Sequence, residues 1–130
     1  MNYYQSAETF LTHVKEIDTH HNKCPLTYAF DLISGKWEIK ILFYLLKYET
    51  LRFGQLKTHL PGITNTVLTG TLKKLEQMGV VKRIQYNEIP LHVEYSLMEA
   101  GVELLPIFME LSKWGEMHNP AETPADSTDC

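Results

Sequence analysis

Between Ile63 and Met78 the apolar residues Val67, Leu68, Leu72, Leu75 and Met78 recur at helical spacing. A chain with this pattern folds there into an α-helix with one buried face. Thr64 is suited to cap its start, and Gly79 to end it. The opposite face carries Asn65, Thr66, Thr69, Gly70, Lys73 and Lys74. It combines two positive charges with short hydrogen-bonding groups and has nothing bulky. Such a face suits the major groove of DNA, where amides and hydroxyls meet base edges and lysines meet phosphates. An ordinary solvated helix face has the same composition, so both readings stand at this point. The residues before it narrow the choice. Phe53 to Leu60 forms a short helix with Phe53, Leu56 and Leu60 inward, and Pro61-Gly62 forms a turn. Helix, tight turn and helix is the helix-turn-helix arrangement. Lys57 and His59 lie on its first helix, within reach of a phosphate backbone.

Charge is distributed to match. The net charge of −4 argues against a nucleic-acid partner, but it is an average over unlike segments. From Lys36 to Arg83 nine basic residues face three acidic ones, a local charge of +6. From Ile84 onward the balance is −8, and residues 1–35 carry −2. The basic middle third contains the helix just described.

The remaining elements follow from periodicity. Phe10, Leu11, Val14 and Ile17 predict an amphipathic helix ending near His20-His21-Asn22. Cys24-Pro25 opens a second helix with Leu26, Ala29, Phe30 and Ile33 inward, broken at Ser34-Gly35. Lys36 to Leu46 is apolar over much of its circumference, with Trp37, Ile41, Leu42 and Leu45 inward, and so is expected at the centre. Leu51-Arg52-Phe53 is long enough for one bridging strand. Val80 to Gln85 and Leu91 to Leu97 alternate as two strands joined by a turn at Asn87–Pro90, which makes a wing. Ser96 is spaced to cap a terminal helix from Glu99, whose apolar residues fall on two faces, one for its own domain and one for a partner. Residues from Asn119 onward hold two prolines and no large apolar side chain, and are expected to be disordered.

Several motifs in this order resemble the HxlR family of winged-helix transcriptional regulators, relatives of the MarR type. Cys24-Pro25 precedes the first domain helix, and Ser34-Gly35-Lys36-Trp37 is similar to the family's Gly-Gly-Lys-Trp. Arg52-Phe53-Gly54-Gln55-Leu56 resembles its Arg-Phe-x-Glu-Leu, and Leu60-Pro61-Gly62-Ile63-Thr64 its Leu-Pro-Gly-Ile-Ser. Leu68-Thr69 through Leu75-Glu76, Val93 to Leu97, and Trp114-Gly115 complete the match. The resemblance covers Cys24 to His118. It implies a mainly α fold with a small β wing (α+β): a winged helix-turn-helix domain at 24–118 with N- and C-terminal dimerisation helices, a helical extension at 1–23 and a tail at 119–130. It also implies a homodimer that binds a roughly palindromic operator in double-stranded DNA, most often as a repressor, with one recognition helix per subunit in the major groove. The expected DNA-binding residues are Thr64, Asn65, Thr66, Thr69, Gly70, Lys73 and Lys74 with Arg52, Lys57, Arg83 and His92. The sequence departs from the family at Gly70 and Thr71, where longer polar or basic side chains are usual. It departs again at Pro90-Leu91-His92-Val93, where His92 replaces a basic residue.

Cys24 carries the most distinctive chemistry. Some members of the family use a cysteine before this proline to sense oxidants or electrophiles, and a thiol at a helix N-terminus is biased toward the thiolate. Lys23 and His21 would add to that bias, and Cys130 on the tail could act as a resolving thiol; a structural cysteine is the alternative. His13, His20 and His21 with Cys24 match no closed metal-site spacing, so no metal or other cofactor is expected. No nucleophile–base pair or cofactor loop stands at recognisable spacing, so an enzyme is not expected. A pocket for a small aromatic effector lined by Phe30, Trp37 or Phe108, a protein-interaction winged helix without DNA contact, and an RNA-binding winged helix are the competing readings. No apolar run approaches the roughly 20 residues of a membrane span, and Met1 to Phe10 lacks a signal-peptide layout, so a cytoplasmic protein is expected.

Overall fold

The computed structural model describes residues 6–16 and 24–120. Ile17, His20, His21, Lys23, Cys130 and the expected tail beyond Pro120 lie outside the described residues. The chain divides into two compact units, residues 1–33 and 34–130.

The first unit contains α1 (Ala7–Glu16) and α2 (Pro25–Ile33). Ser6 Oγ accepts from the Thr9 N–H at 3.1 Å and so caps α1. α2 begins at Pro25, where a missing N–H goes unneeded in the first turn.

The second unit is built on α3 (Glu38–Tyr48), which starts and ends two residues later than its apolar pattern predicts. It stops where Glu49 takes a positive φ of 67°. β1 (Thr50–Arg52) leads into α4 (Phe53–His59), which opens with the Arg52 N–H donating to Gln55 Oε1 at 2.8 Å. The turn through Gly62 leads to α5 (Asn65–Gln77), and Gly79, at φ 77°, ends it. β2 (Val81–Tyr86) and β3 (His92–Leu97) form the wing hairpin, and β1 pairs with the far side of β3. The result is a three-stranded antiparallel sheet in the order β1-β3-β2. Ile41, Leu42 and Leu45 of α3, Leu56 of α4, Leu68, Leu72 and Leu75 of α5, and Tyr95 of β3 make the core. Burial of this kind stabilises by about 1.5–3 kcal/mol per large apolar side chain, so the core fixes how α5 and the wing sit on α3. No helix among the described residues is long and apolar enough to cross a membrane.

Four local expectations are corrected. Leu26 and Phe30 of α2, expected inward, are exposed, and Leu32 is buried in their place. The terminal helix is two helices, α6 (Glu99–Val102) and α7 (Leu105–His118). Pro106 has no N–H to give to the Val102 carbonyl and its ring crowds that turn, so one continuous helix is blocked. Ser96 does not cap α6: it is committed to β3, opposite Thr50 and Lys82, and Met98 takes the cap position without a side-chain bond. Val67 is 41% exposed, and Thr71 takes the buried place with its hydroxyl donating to the Val67 carbonyl at 2.7 Å. The buried set Leu68, Thr71, Leu72 and Leu75 is the true helical stripe.

Glu38 is a buried residue the apolar pattern did not reveal. Its carboxylate fills the space a side chain at position 35 would need, since a Cβ on Gly35 would overlap it. Lys74 of α5 lies 3.7 Å from Glu38 Oε2. The ion pair therefore ties α5 to the start of α3, and Gly35 leaves room for it.

Candidate nucleic-acid interface

α5 is anchored at its start by Thr64, whose hydroxyl accepts from the Val67 N–H at 3.2 Å. With the buried stripe set against the core, Asn65, Thr66, Thr69, Gly70 and Lys73 are exposed together. Lys74, one residue on, is half-buried and turned to Glu38. The two adjacent lysines thus differ: Lys73 faces outward and Lys74 inward.

The wing brings further groups to the same side. In the β2–β3 register Arg83 stands opposite Tyr95, and Gln85 opposite Val93. Cross-strand partners share a sheet face. Thr69, Lys73, Glu76 and Gln77 of α5, Arg83 of β2, and Val93 and Tyr95 of β3 line one cleft of 690 Å³. Arg83 donates to Gln85 Oε1 at 3.2 Å, which holds its guanidinium along the strand. A second groove of 420 Å³ runs past Arg52, Gln85, Leu91 and His92. Thr69, Lys73 and Arg83 are therefore brought together, while Arg52 and His92 line the neighbouring groove.

His92 is held more closely than its sequence position suggests. Its ring stacks on Tyr86 with centroids 4.7 Å apart, and its Nε2 lies 3.5 Å from Glu94 Oε1. The charge on Glu94 holds the Tyr86 hydroxyl above its ordinary pKa, and Glu94 also accepts its hydrogen bond. Tyr86 and Glu94 were missed in the sequence, although hairpin alternation puts both on the His92 side.

On α4, Lys57 Nζ donates to Asn65 Oδ1 at 2.7 Å. His59 is half-buried and stacks against both Tyr44 and Tyr48, with centroids 4.7 and 5.0 Å away.

At the start of α2, Cys24 is half-buried and its sulfur takes the place a serine or aspartate usually fills. The Thr27 hydroxyl lies 3.1 Å from Sγ, and the Thr27 N–H donates to it at 3.3 Å. First the hydroxyl and then the N–H of Thr27 hold the Cys24 thiol below its ordinary pKa, against the opposing effect of burial. Thr27 is a contributor the sequence reading did not name. The expected contributions of Lys23, His21 and Cys130 fall outside the described residues.

Of the three aromatic residues expected at an effector pocket, Phe108 lines one, a cleft of 250 Å³ shared with Ile39, Phe43, Leu111 and Ser112.

The HxlR-like helix-turn-helix family matches residues 32–123 of the chain. The helix-turn-helix-type transcriptional regulator YdzF of Bacillus subtilis is 41% identical over 93 residues, which is 72% of this chain and 85% of YdzF. Among solved structures, the reduced form of the transcriptional regulator YodB from B. subtilis is similar with a TM-score of 0.69 and 32% identity. The match covers 76% of this chain and 98% of YodB. The redox regulator HypR in its oxidised form is similar with a TM-score of 0.67 and 36% identity, over 75% of this chain and all of HypR.

Proposed function

The chain belongs to the HxlR-like helix-turn-helix family of transcriptional regulators, and from that premise we propose that it is a cytoplasmic repressor that binds duplex DNA as a homodimer. The observation that carries this reading is the meeting of Thr69, Lys73 and Arg83 along one cleft between α5 and the wing. α5 offers base-reading groups at Asn65, Thr66 and Thr69, with Thr64 fixing its first turn and Gly70 allowing close approach. Lys73, Arg83, Arg52, Lys57 and His92 supply contacts to phosphate, which give affinity and salt dependence but no sequence choice. Lys74 contributes indirectly, by holding α5 to Glu38. Dimerisation is supported by α7, where Ile107, Leu111, Trp114 and Met117 are all exposed along one helix.

Oxidant sensing is part of the proposal. The similar protein HypR is a redox regulator, and YodB has a diamide-treated structure. Here Cys24 has a thiol biased toward the reactive thiolate by Thr27. Cys130 is the candidate resolving thiol.

A mobility shift with the promoter region flanking its own gene, at two salt concentrations, reduced and diamide-treated, tests the reading. Salt-sensitive binding that diamide abolishes in wild type but not in Cys24→Ser is the expected result. Binding indifferent to diamide removes the redox switch and favours a small aromatic ligand in the Phe43–Phe108 cleft. Absence of binding at low salt favours the protein-interaction reading.

A further inference from the structure

Asn65 is the first residue of α5, the place from which a helix-turn-helix protein contacts base edges. A free asparagine reads adenine with both ends of its amide: the oxygen accepts from N6 and the nitrogen donates to N7. Here the oxygen is already engaged. Lys57 Nζ reaches across the turn and donates to Asn65 Oδ1 at 2.7 Å, a short charge-assisted hydrogen bond. Both side chains are exposed, so neither is held in place by the core.

We propose that Lys57 is a specificity-determining residue that turns Asn65 from an adenine reader into a donor. With Oδ1 facing α4, the Asn65 amide presents its two N–H bonds outward. Groups that only donate suit bases that only accept at that edge, which are guanine through O6 and N7, and thymine through O4. Adenine also presents an N6 amino donor, which meets at best the second lone pair of an oxygen turned toward α4. Lys57 has three N–H bonds and gives one to Asn65, so a phosphate contact by the same ammonium is compatible with this role. The inference rests on the DNA-binding reading above and adds to it which base one residue selects and what sets that choice.

The test uses the full chain and an operator fragment in which each base pair is replaced by the other three in turn. Wild type, Asn65→Ala, Lys57→Met and the double variant are compared at two salt concentrations. The position at which Asn65→Ala loses its base preference is the one Asn65 reads. Lys57→Met is expected to move the preference at that position toward adenine by about fivefold or more, since a bidentate pair discriminates by about 1–3 kcal/mol. Other positions keep their preferences, and the double variant behaves at that position as Asn65→Ala does. A Lys57→Met protein that binds all sequences more weakly by the same factor, with a shallower salt dependence and no change of base preference, overturns the inference and leaves Lys57 a phosphate contact. An Asn65→Ala protein with every preference intact also overturns it. If wild type binds no duplex, the parent reading fails and takes this one with it, an outcome distinct from both. Lys57 and Asn65 are on the surface, so each variant is expected to keep the wild-type circular dichroism spectrum.

Discussion

α5 and α7 differ by one residue in length, 13 against 14, yet the first buries four side chains and the second none. α7 holds more large apolar residues, including Leu105, Ile107, Leu111, Trp114 and Met117, all exposed. Hydrophobic content therefore does not decide which helix is finished inside the subunit. α5 is capped by Thr64, ended by Gly79 and tied to α3 by Lys74 and Glu38, and its apolar residues fall on one stripe. α7 begins after the break imposed by Pro106, and its apolar residues are spread over two faces. The second apolar face of such a helix is left for the proposed partner subunit to cover.

The largest test of this contrast is Leu72→Ala in α5, where the side chain is almost fully buried. It is expected to cost about 2–5 kcal/mol in a urea titration, and a cost under about 1 kcal/mol would show that α5 is not anchored as described. Trp114→Ser in α7 should act differently. Circular dichroism should stay that of a folded chain, while sedimentation shows the proposed dimer dissociating at concentrations about tenfold or more higher than for wild type, as for an interface anchor worth about 2 kcal/mol. Loss of the fold instead would mean that α7 completes its own subunit.

Smaller changes sharpen the account of α5. Thr64→Ala removes the cap and should cost about 1 kcal/mol of stability. Gly70→Ala meets nothing within 4 Å, so it should stabilise by about 0.5–1 kcal/mol through helix propensity while weakening duplex affinity. A variant that gains stability and binds as before would show that DNA does not approach the backbone there.

The smallest effect concerns the other capped helix start. Thr27→Val deletes the hydroxyl at Cys24 and should move the midpoint of the pH profile for iodoacetamide alkylation upward. The folded thiol has a pKa below its unfolded value. Its contribution to stability is thus present above the unfolded pKa and is lost as the pH falls through the folded one. An unchanged profile would remove Thr27 as the cause.

Much of the fold was legible from spacing. α5 and its flanking caps, the turn through Gly62 and the wing strands all follow from short-range chemistry: helical period, hydroxyl capping, glycine at positive φ and strand alternation. The exposed set of α5 followed too, because burying Leu68, Leu72 and Leu75 turns Asn65, Thr66, Thr69 and Lys73 outward. Errors arose where two local rules competed. Ser96 has capping-box spacing but is needed by β3, and the ladder bonds of a strand outweigh one cap. Pro106 interrupts an otherwise continuous apolar pattern, and an absent N–H prevails over periodicity.

The sequence by itself determined the element order as far as β3, the basic middle third and the family, because these depend on residues close together in the chain. Only the tertiary structure decided what each polar group has left to offer. Lys73 and Lys74 are equivalent in sequence, but Glu38, 36 positions before Lys74, draws one of them inward. Asn65 and Lys57 are both candidate DNA contacts in the sequence, and folding α4 against α5 joins them at 2.7 Å. His59 stacks on Tyr44 and Tyr48 in the same way, and His92 is clasped by Tyr86 and Glu94. Hydrogen bonds, ion pairs and ring stacking act over a few ångströms, so the availability of these groups is set by residues that sequence distance does not bring together.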